Sequence, residues 1–127
     1  MELLKKHGLR LTPQRIELVR TLEKLGLKHP SFSDICEAMK KRQSNVSSST
    51  VLKNLNEMVE LGFISSFSYD GETHYETNPD LHVNLVDSSG TILDVNDEEV
   101  KQAMLKLVDL VGRRAGVKTR HILVIAD

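Results

Sequence analysis

The sequence has only one cysteine, no long apolar run and no signal-type amino terminus. Cys36 alone cannot form a disulfide within the chain, and it cannot supply the four thiolates of a cysteine zinc site. No apolar segment approaches the roughly 18 residues of a membrane span, so no membrane partner is predicted. The amino terminus MELLKKHGLR carries charge throughout instead of the apolar core of a signal peptide. Together these absences favour a cytoplasmic protein.

Motifs of catalysis are also missing from the 127 residues. The sequence has no nucleophile–base pairing, no glycine-rich phosphate loop and no acidic dyad at a plausible spacing, which argues against an enzyme. It contains neither internal repeats nor low-complexity segments. Its composition, 39% hydrophobic and 28% charged, fits one compact domain or two very small ones.

Charge is distributed unevenly along the chain, although the net charge is only −1. Residues 1–53 contain eleven Lys or Arg and five Asp or Glu, a net of +6. Residues 54–127 contain six and thirteen, a net of −7. A basic half of this kind is typical of a protein that binds a polyanion, in particular a nucleic acid. The alternative is an ordinary solvated surface on which the two signs are unevenly spread.

Helix patterns fill most of the first half of the chain. ELLKKHG predicts a short helix, and LTPQRIELVRTLEKLG predicts a second one that Thr12 caps. SFSDICEAMKKR predicts a third, in which Ser31 and Asp34 have the spacing of a capping box. SSSTVLKNLNEMVELG predicts a fourth, capped by Ser47.

A β-hairpin is predicted directly after these helices. Two alternating runs, in FISSFSYDGETHYET, flank the pair Asp70-Gly71, which is a strong short-range hairpin signal. Three helices followed by a hairpin describe a winged helix-turn-helix. The alternative is a helical bundle with an incidental hairpin.

The last of these helices separates apolar residues from small, polar and cationic ones. Val51, Leu55 and Met58 share one face. In a helix-turn-helix the second helix of the pair enters the major groove of DNA, and its first residues meet the base edges. Small hydroxyls and a cation suit that position because they can approach and bond to bases or phosphates. The predicted DNA-reading face comprises Ser48, Ser49, Leu52, Lys53 and Asn56. The alternative is a solvated helix face with a serine cap.

The pattern changes after Pro79. LHVNLV, TILDV and TRHILVIA predict strands, and Asn96 caps a helix between the last two. The predicted apolar stripe of this helix is Val100, Met104, Leu107, Val108 and Val111. A ββαβ unit of 48 residues seldom buries enough surface to fold alone, so a partner chain is expected to complete its core. The fold class is therefore α+β, a winged helix-turn-helix domain followed by a small α/β (ββαβ) dimerisation domain.

The segments GLRLTPQR, HPSFSDI, STVLKNLNEMVELGFI and HYETNPDLH, in this order and spacing, resemble the ferric uptake regulator (Fur) family. The resemblance covers nearly the whole chain, including GTILDV and RHILVI. It implies a homodimeric, metal-responsive transcription factor whose partner is double-stranded DNA. The winged-helix DNA-binding domain would comprise residues 1–79, and the dimerisation domain residues 80–127.

The resemblance also implies residues that contact DNA. The family's recognition helix reads T-V-Y-R, whereas this sequence has Leu52 and Lys53 at the last two positions. Lysine keeps the positive charge but not the bidentate fork of arginine, so the preferred operator is expected to differ. Arg10 matches a basic position that reaches into an AT-rich minor groove. Arg15 belongs to the same motif and is expected to touch phosphate or to pack locally.

The family binds its regulatory metal with histidines and carboxylates from both domains and the hinge. The matching residues are His29, Glu76, His82 and Asp94. The second histidine of the family's H-x-H pair is Asn84, a poorer ligand, which strand alternation puts on the same face as His82. Such an oxygen-rich site can hold zinc, iron or manganese. The alternative is that these histidines are ordinary surface or packing residues.

Two other metal sites of the family are reduced or missing. VDSS stands where the first C-x-x-C pair of the structural zinc site belongs, and the sequence given ends before the second, so no structural four-cysteine zinc is expected. A further ligand cluster is represented by His121 and Glu98. These departures leave open a rival function, a winged-helix regulator that has lost metal control. The charge distribution leaves open another, a winged-helix protein-interaction module whose acidic second half docks a basic partner.

Overall fold

The structure, a computed structural model, describes residues 8, 10, 12–25, 29–42, 45–62, 64–77 and 80–127. These belong to two compact units, Met1–Pro79 and Asp80–Asp127. The described elements of the first unit are α1 Pro13–Leu25, α2 Phe32–Arg42, α3 Ser48–Glu60, β1 Ser65–Tyr69 and β2 Glu72–Glu76. Those of the second are β3 Val83–Val86, β4 Ile92–Val95, α4 Glu98–Ala115 and β5 Ile122–Ile125. The helix predicted over ELLKKHG lies outside the described residues.

Side-chain caps determine where the helices of the first unit begin, as the sequence predicts. Thr12 Oγ1 accepts a hydrogen bond of 3.2 Å from the backbone N–H three residues later, at the start of α1. Ser31 and Asp34 form a reciprocal capping box at α2, with both bonds at 3.1 Å. Ser47 caps α3 by accepting the N–H of its third residue at 3.2 Å. Each cap satisfies a backbone donor that the helix itself leaves unpaired.

One hydrophobic core holds the three helices and the hairpin of the first unit together. α3 contributes Val51, Leu55 and Met58, which are at most 2% exposed. The remaining buried members are Leu18, Val19, Leu22, Ile35, Met39, Ile64 and Tyr75. Because α3 is anchored by a single apolar face, its opposite face is left at the surface.

The predicted hairpin is present. β1 and β2 pair antiparallel, with Ser65 opposite Glu76 and Tyr69 opposite Glu72. Asp70 and Gly71 both have positive φ, 52° and 77°, as a two-residue type I′ turn requires.

The second unit is a three-stranded sheet in the order β4-β3-β5. β3 pairs antiparallel with β4 and parallel with β5, and α4 is the crossover between β4 and β5. The predicted cap of α4 is wrong by one residue. Asp97, not Asn96, is the N-cap, and its Oδ1 accepts the N–H of Val100 at 2.8 Å. Both side chains are good caps, so the sequence alone does not choose between them.

The predicted apolar stripe of α4 is only partly covered in the single chain. Met104 is buried and Val100 and Val108 are half-buried, whereas Leu107 is 49% and Val111 is 37% exposed. Leu105 and Leu110 on the same helix are exposed as well, as are Val117, Val124 and Ile125 towards the end of the chain. In the described part of the chain, no helix is long and apolar enough to cross a membrane.

Candidate DNA interface and metal centre

The outer face of α3 carries every residue that the sequence assigns to DNA reading. Leu52 is 42% exposed, and the other predicted members are also exposed: Ser48, Ser49, Lys53 and Asn56. The helix begins with small hydroxyl side chains, so its first turn can approach a surface closely. One apolar, one cationic and one amide group follow in the next two turns. This combination can form hydrogen bonds with base edges, neutralise phosphate and contact a thymine methyl group.

Arg15 is held inside the first unit by four polar contacts. Its Nη2 forms an ion pair with Glu57 Oε2 at 2.6 Å, and its Nε donates to Asn54 Oδ1 at 3.3 Å. Its Nη1 donates to the carbonyl oxygen of Arg10 at 3.1 Å, and its backbone N–H binds the Thr12 cap. The guanidinium therefore connects α1, α3 and the segment before α1. Within this unit the Arg15 side chain is therefore engaged in local contacts.

Sequence reasoning missed the partners of Arg15. Asn54 is 8% exposed and lies on the buried side of α3, although asparagine is usually a surface residue. A polar residue at an inward position of an amphipathic helix is a sequence signal for a buried hydrogen bond, but it does not identify the donor. Arg10 itself is exposed, and its carbonyl oxygen also accepts the N–H of Thr12 at 3.1 Å. The contacts to this carbonyl fix the backbone that carries the predicted minor-groove residue.

The first unit contains one of two histidine–carboxylate pairs. His29, which precedes α2, has its Nε2 atom 3.2 Å from Oε1 of Glu76, the last residue of β2. Both side chains are almost fully buried, at 4% and 3% exposure. The second carboxylate oxygen accepts a hydrogen bond of 3.4 Å from Ser65. A buried carboxylate is costly unless a cation or several donors stabilise its charge, so this pair is a natural place for a cation.

The hairpin holds the backbone of His29 in position. His29 has φ 52°, in the left-handed region that residues with a side chain seldom adopt. His74 Nδ1 donates to the His29 carbonyl at 2.9 Å, because a carbonyl can only accept. The N–H of Tyr75 donates to the carbonyl of Pro30, also at 2.9 Å, and the ring of His74 stacks on Phe67. His74 therefore has a structural role, because it holds the backbone of His29.

The second unit contains the other pair. His82 Nε2 lies 3.2 Å from Oδ1 of Asp94 on β4. His82 Nδ1 contacts the carbonyl oxygen of Asp80 at 2.8 Å, so Nδ1 carries the proton and donates. In the neutral ring this leaves the lone pair of Nε2 directed at the carboxylate. A ring nitrogen fixed in this way by a backbone carbonyl is the usual arrangement of a metal-binding histidine.

Asn84 is the least expected residue of the second unit. Its side chain is 1% exposed, on the central strand β3. Among the described residues, neither Oδ1 nor Nδ2 of this amide has a hydrogen-bond partner. Leaving a buried polar group unsatisfied costs about 1–3 kcal/mol. The donor set of His82, Asp94 and the Asn84 oxygen fits a divalent ion, and such an ion would satisfy the amide oxygen.

The further cluster implied by the resemblance involves His121 and Glu98. His121 is half-buried and Glu98 is exposed. Within the part of the chain that the structure describes, neither belongs to a group of three or more His, Cys, Asp or Glu side chains able to hold a metal ion.

Comparisons with known proteins agree with this architecture. Residues 6–124 match the model of the ferric uptake regulator family. The chain is 38% identical over 116 residues to the ferric uptake regulation protein homolog of Archaeoglobus fulgidus, an alignment that covers 91% of this chain and 84% of that protein.

Two solved structures extend the comparison to the fold. A zinc-bound manganese uptake regulator superimposes with a TM-score of 0.72 and 26% identity, covering 98% of this chain and 96% of the other. The ferric uptake regulator of Helicobacter pylori, described as having three functional metal binding sites, gives a TM-score of 0.74 and 25% identity over 97% of this chain and 82% of the other. The predicted α+β class, with a helical amino-terminal part and a small carboxy-terminal sheet, is confirmed.

Proposed function

The chain belongs to the ferric uptake regulator family, and we propose that it is a DNA-binding repressor of transcription whose operator affinity depends on a divalent metal ion. A family of transcriptional regulators argues for binding rather than catalysis. Because such a regulator acts on chromosomal DNA, we propose that it works in the cytoplasm. The winged-helix unit, residues 1–79, would bind DNA, and residues 80–127 would form the dimer.

We propose that α3 enters the major groove and that Arg10 follows the adjacent minor groove. The support for α3 is its exposed face, on which small residues precede Leu52 and Lys53. The support for Arg10 is its exposed position on a backbone that the Arg15 guanidinium holds beside α1. Arg15 was predicted to contact phosphate or pack locally; with its charge paired to Glu57, we propose that it supports the DNA contacts of its neighbours.

We propose His29, Glu76, His82 and Asp94 as ligands of the regulatory metal. The observation that carries this proposal is the orientation of His82, whose Nε2 lone pair in the neutral ring faces a carboxylate oxygen 3.2 Å away. Two electron-rich atoms at this distance repel each other unless a cation lies between or beside them. In the metal-free protein a proton can supply this positive charge, and in the metal-bound protein a divalent ion can supply it. His29 and Glu76 offer the same combination of imidazole and buried carboxylate.

The ligand chemistry narrows the choice of metal. Two imidazoles and two carboxylates, without any thiolate, suit iron, manganese or zinc. When bound, the ion would supply positive charge to both histidine–carboxylate pairs. If one ion engages both pairs, it favours one arrangement of the two units over the others and thereby controls DNA affinity without touching DNA. The separation of two recognition helices must match successive major grooves, about 34–36 Å, for both to engage.

A homodimer is supported by the uncovered surface of the second unit. Leu107 and Val111 of the predicted stripe are more than one third exposed, and so is Val124 on the edge strand β5. Large exposed apolar side chains on a helix and on a sheet edge are typical of surfaces that a second chain covers. A second copy of this chain is the occupant that the family resemblance implies.

Metal titration of chelator-treated protein tests the proposed site. Calorimetry with zinc, manganese and, without oxygen, ferrous iron should give binding much tighter than about 1 mM for at least one ion. His82→Ala should weaken that binding by at least about tenfold, because it removes a ligand. Asp109→Ala is the control, since it removes an exposed carboxylate outside the proposed ligand set and should leave the affinity unchanged.

DNA binding by the same proteins tests the regulatory step. A duplex selected from a random pool by the metal-loaded wild type should be bound with metal and released after chelation. His82→Ala should bind this duplex weakly at metal concentrations that saturate the wild type. DNA binding that is strong and indifferent to metal would instead identify a regulator without metal control. Failure of every selected duplex to bind would favour a protein-interaction module.

A further inference from the structure

Asn84 occupies a position at which an apolar side chain would be expected. It lies in the middle of β3, between β4 and β5, and almost none of its surface reaches solvent. Neither polar atom of its amide is satisfied by another described residue. A buried amide without partners requires an explanation, and a bound ion is one of the few that would satisfy its oxygen.

The sheet register brings this amide beside the His82–Asp94 pair. Asn84 is directly opposite Asp94 across the antiparallel β3–β4 pair, so their side chains project on the same face of the sheet. His82 lies just before the first residue of β3, and its contact with Asp94 puts its ring on that side as well. Its Nε2 atom is 3.2 Å from the Asp94 carboxylate. An imidazole, a carboxylate and an unsatisfied amide thus share one face at neighbouring positions of two strands.

We propose that the Asn84 side-chain oxygen is an additional ligand of the metal ion and that it shifts the preference of the site from zinc towards manganese. The inference rests on the proposed metal-binding function and identifies a selectivity residue within it. An amide oxygen is a hard, neutral donor, and carbonyl and carboxylate oxygens suit manganese, whereas imidazole suits zinc. An amide also does not compete for protons, so this ligand stays available where a histidine would be protonated.

A series of substitutions at this one position separates a ligand from a packing residue. Asn84→Leu keeps the approximate shape and removes the donor, Asn84→Asp supplies a charged oxygen, and Asn84→His supplies an imidazole. Affinities for manganese and zinc are measured in the full chain by competition with a chromophoric chelator. Circular dichroism and thermal unfolding of the metal-free proteins show whether each variant is folded.

The variants are expected to change the manganese affinity in opposite directions. Asn84→Leu should weaken manganese binding by about tenfold or more, while the metal-free protein becomes at least as stable because a buried unsatisfied amide is gone. Asn84→Asp should tighten manganese binding. Asn84→His should raise the ratio of zinc to manganese affinity, and it should change the visible absorption spectrum of the cobalt(II)-loaded protein because a nitrogen replaces an oxygen in the coordination sphere.

The outcomes also distinguish this inference from the function on which it rests. If Asn84→Leu binds manganese within about twofold of wild type while His82→Ala binds poorly, the metal site stands and Asn84 is not a ligand. If His82→Ala also binds as well as wild type, the proposed metal site itself is wrong. If Asn84→Leu proves unfolded, the ratio of zinc to manganese affinity in Asn84→Asp and Asn84→His decides: an unchanged ratio in both overturns the inference.

Discussion

Replacing Arg15 by alanine distinguishes a residue that contacts DNA from one that holds the DNA-binding unit together. In the structure its guanidinium binds Glu57, Asn54 and the Arg10 carbonyl, and its side chain is only 17% exposed. The substitution removes all three contacts at once. We therefore expect it to lower the stability of the first unit, and to weaken DNA binding only through the loss of order around Arg10 and α3.

The expected loss of stability can be estimated from the contacts. A hydrogen bond to a charged group contributes about 1.5–3 kcal/mol, and an unsatisfied oxygen on Asn54, which is 8% exposed, costs about 1–3 kcal/mol. Because these contributions share one guanidinium they do not add fully, so the free energy of unfolding should fall by about 2–4 kcal/mol. A double-mutant cycle with Glu57→Gln should give a coupling of about 1–2 kcal/mol, discounted because Glu57 is 31% exposed.

Tyrosine fluorescence during urea unfolding measures this loss in the relevant unit. The chain has two tyrosines and no tryptophan, and both tyrosines, Tyr69 and Tyr75, lie in the first unit. Arg20→Ala is the matched control, because Arg20 is on the same helix α1 and also pairs with a glutamate, Glu17, but its side chain is 56% exposed. Exposed ion pairs contribute little, so the control should unfold close to wild type.

The salt dependence of DNA binding then separates the two roles. A residue that neutralises one phosphate changes the slope of log affinity against log salt by about 0.9, whereas a residue that only orients its neighbours leaves the slope unchanged. We expect Arg15→Ala to bind DNA more weakly with the wild-type slope. Wild-type stability together with a slope reduced by about one would refute the packing role and establish Arg15 as a phosphate contact.

Three further predictions concern the recognition helix, the dimer and a buried tyrosine. Lys53→Ala should weaken duplex binding by about 1–3 kcal/mol and relax preference at one base position if the lysine reads a base, or reduce the salt slope by about one if it meets phosphate. Lys101→Ala on α4 is the control and should change neither the affinity for the duplex nor the salt slope. Leu107→Glu should convert the dimer to a monomer in sedimentation at micromolar protein, and a wild-type folded monomer there would contradict the dimer. Burial and, to a lesser degree, the electrostatic effect of the nearby Cys36 raise the pKa of Tyr75. The stability gained by keeping its phenol neutral is therefore complete below the ordinary pKa of 10.0 and is lost as the pH rises through the raised pKa. A tyrosinate absorbance titration should show a late step that Tyr75→Phe removes.

Local sequence signals predicted the first unit well because each depends on residues close together in the chain. The capping box of Ser31 and Asp34 and the Asp70-Gly71 turn are complete within four residues and needed no tertiary information. The Arg15 contacts span 39 and 42 residues to α3, and no local pattern specifies them. The same limit applies to α4, where periodicity identified an apolar stripe but could not tell which part this chain covers.

The candidate site was also predictable only in part, because its residue types follow from the sequence whereas their hydrogen bonds depend on tertiary contacts. The family motif identified the His and carboxylate positions, and each unit brings one such pair to 3.2 Å. The orphaned amide of Asn84 was not predictable, because whether a buried polar group is satisfied depends on all the atoms around it. From the sequence alone, this asparagine is only a poorer ligand than the histidine of the family. In the structure the amide is buried without hydrogen-bond partners, and this observation supports the proposal that Asn84 influences the metal preference of the site.

Hydrogen bonds that involve backbone carbonyls hold both histidines of the proposed site in place. The Asp80 carbonyl accepts the Nδ1–H of His82 and so fixes which ring nitrogen faces Asp94. The His29 carbonyl accepts a hydrogen bond from His74 on β2. His29 itself has a left-handed backbone conformation, which costs about 1–3 kcal/mol for a residue with a side chain. A fold tolerates such strain only where neighbouring contacts outweigh it, and here those contacts come from β2, the strand that also ends in Glu76. The hairpin and the first histidine–carboxylate pair are therefore held together by the same contacts. An ion bound to this pair, as proposed, would therefore also stabilise the hairpin of the first unit.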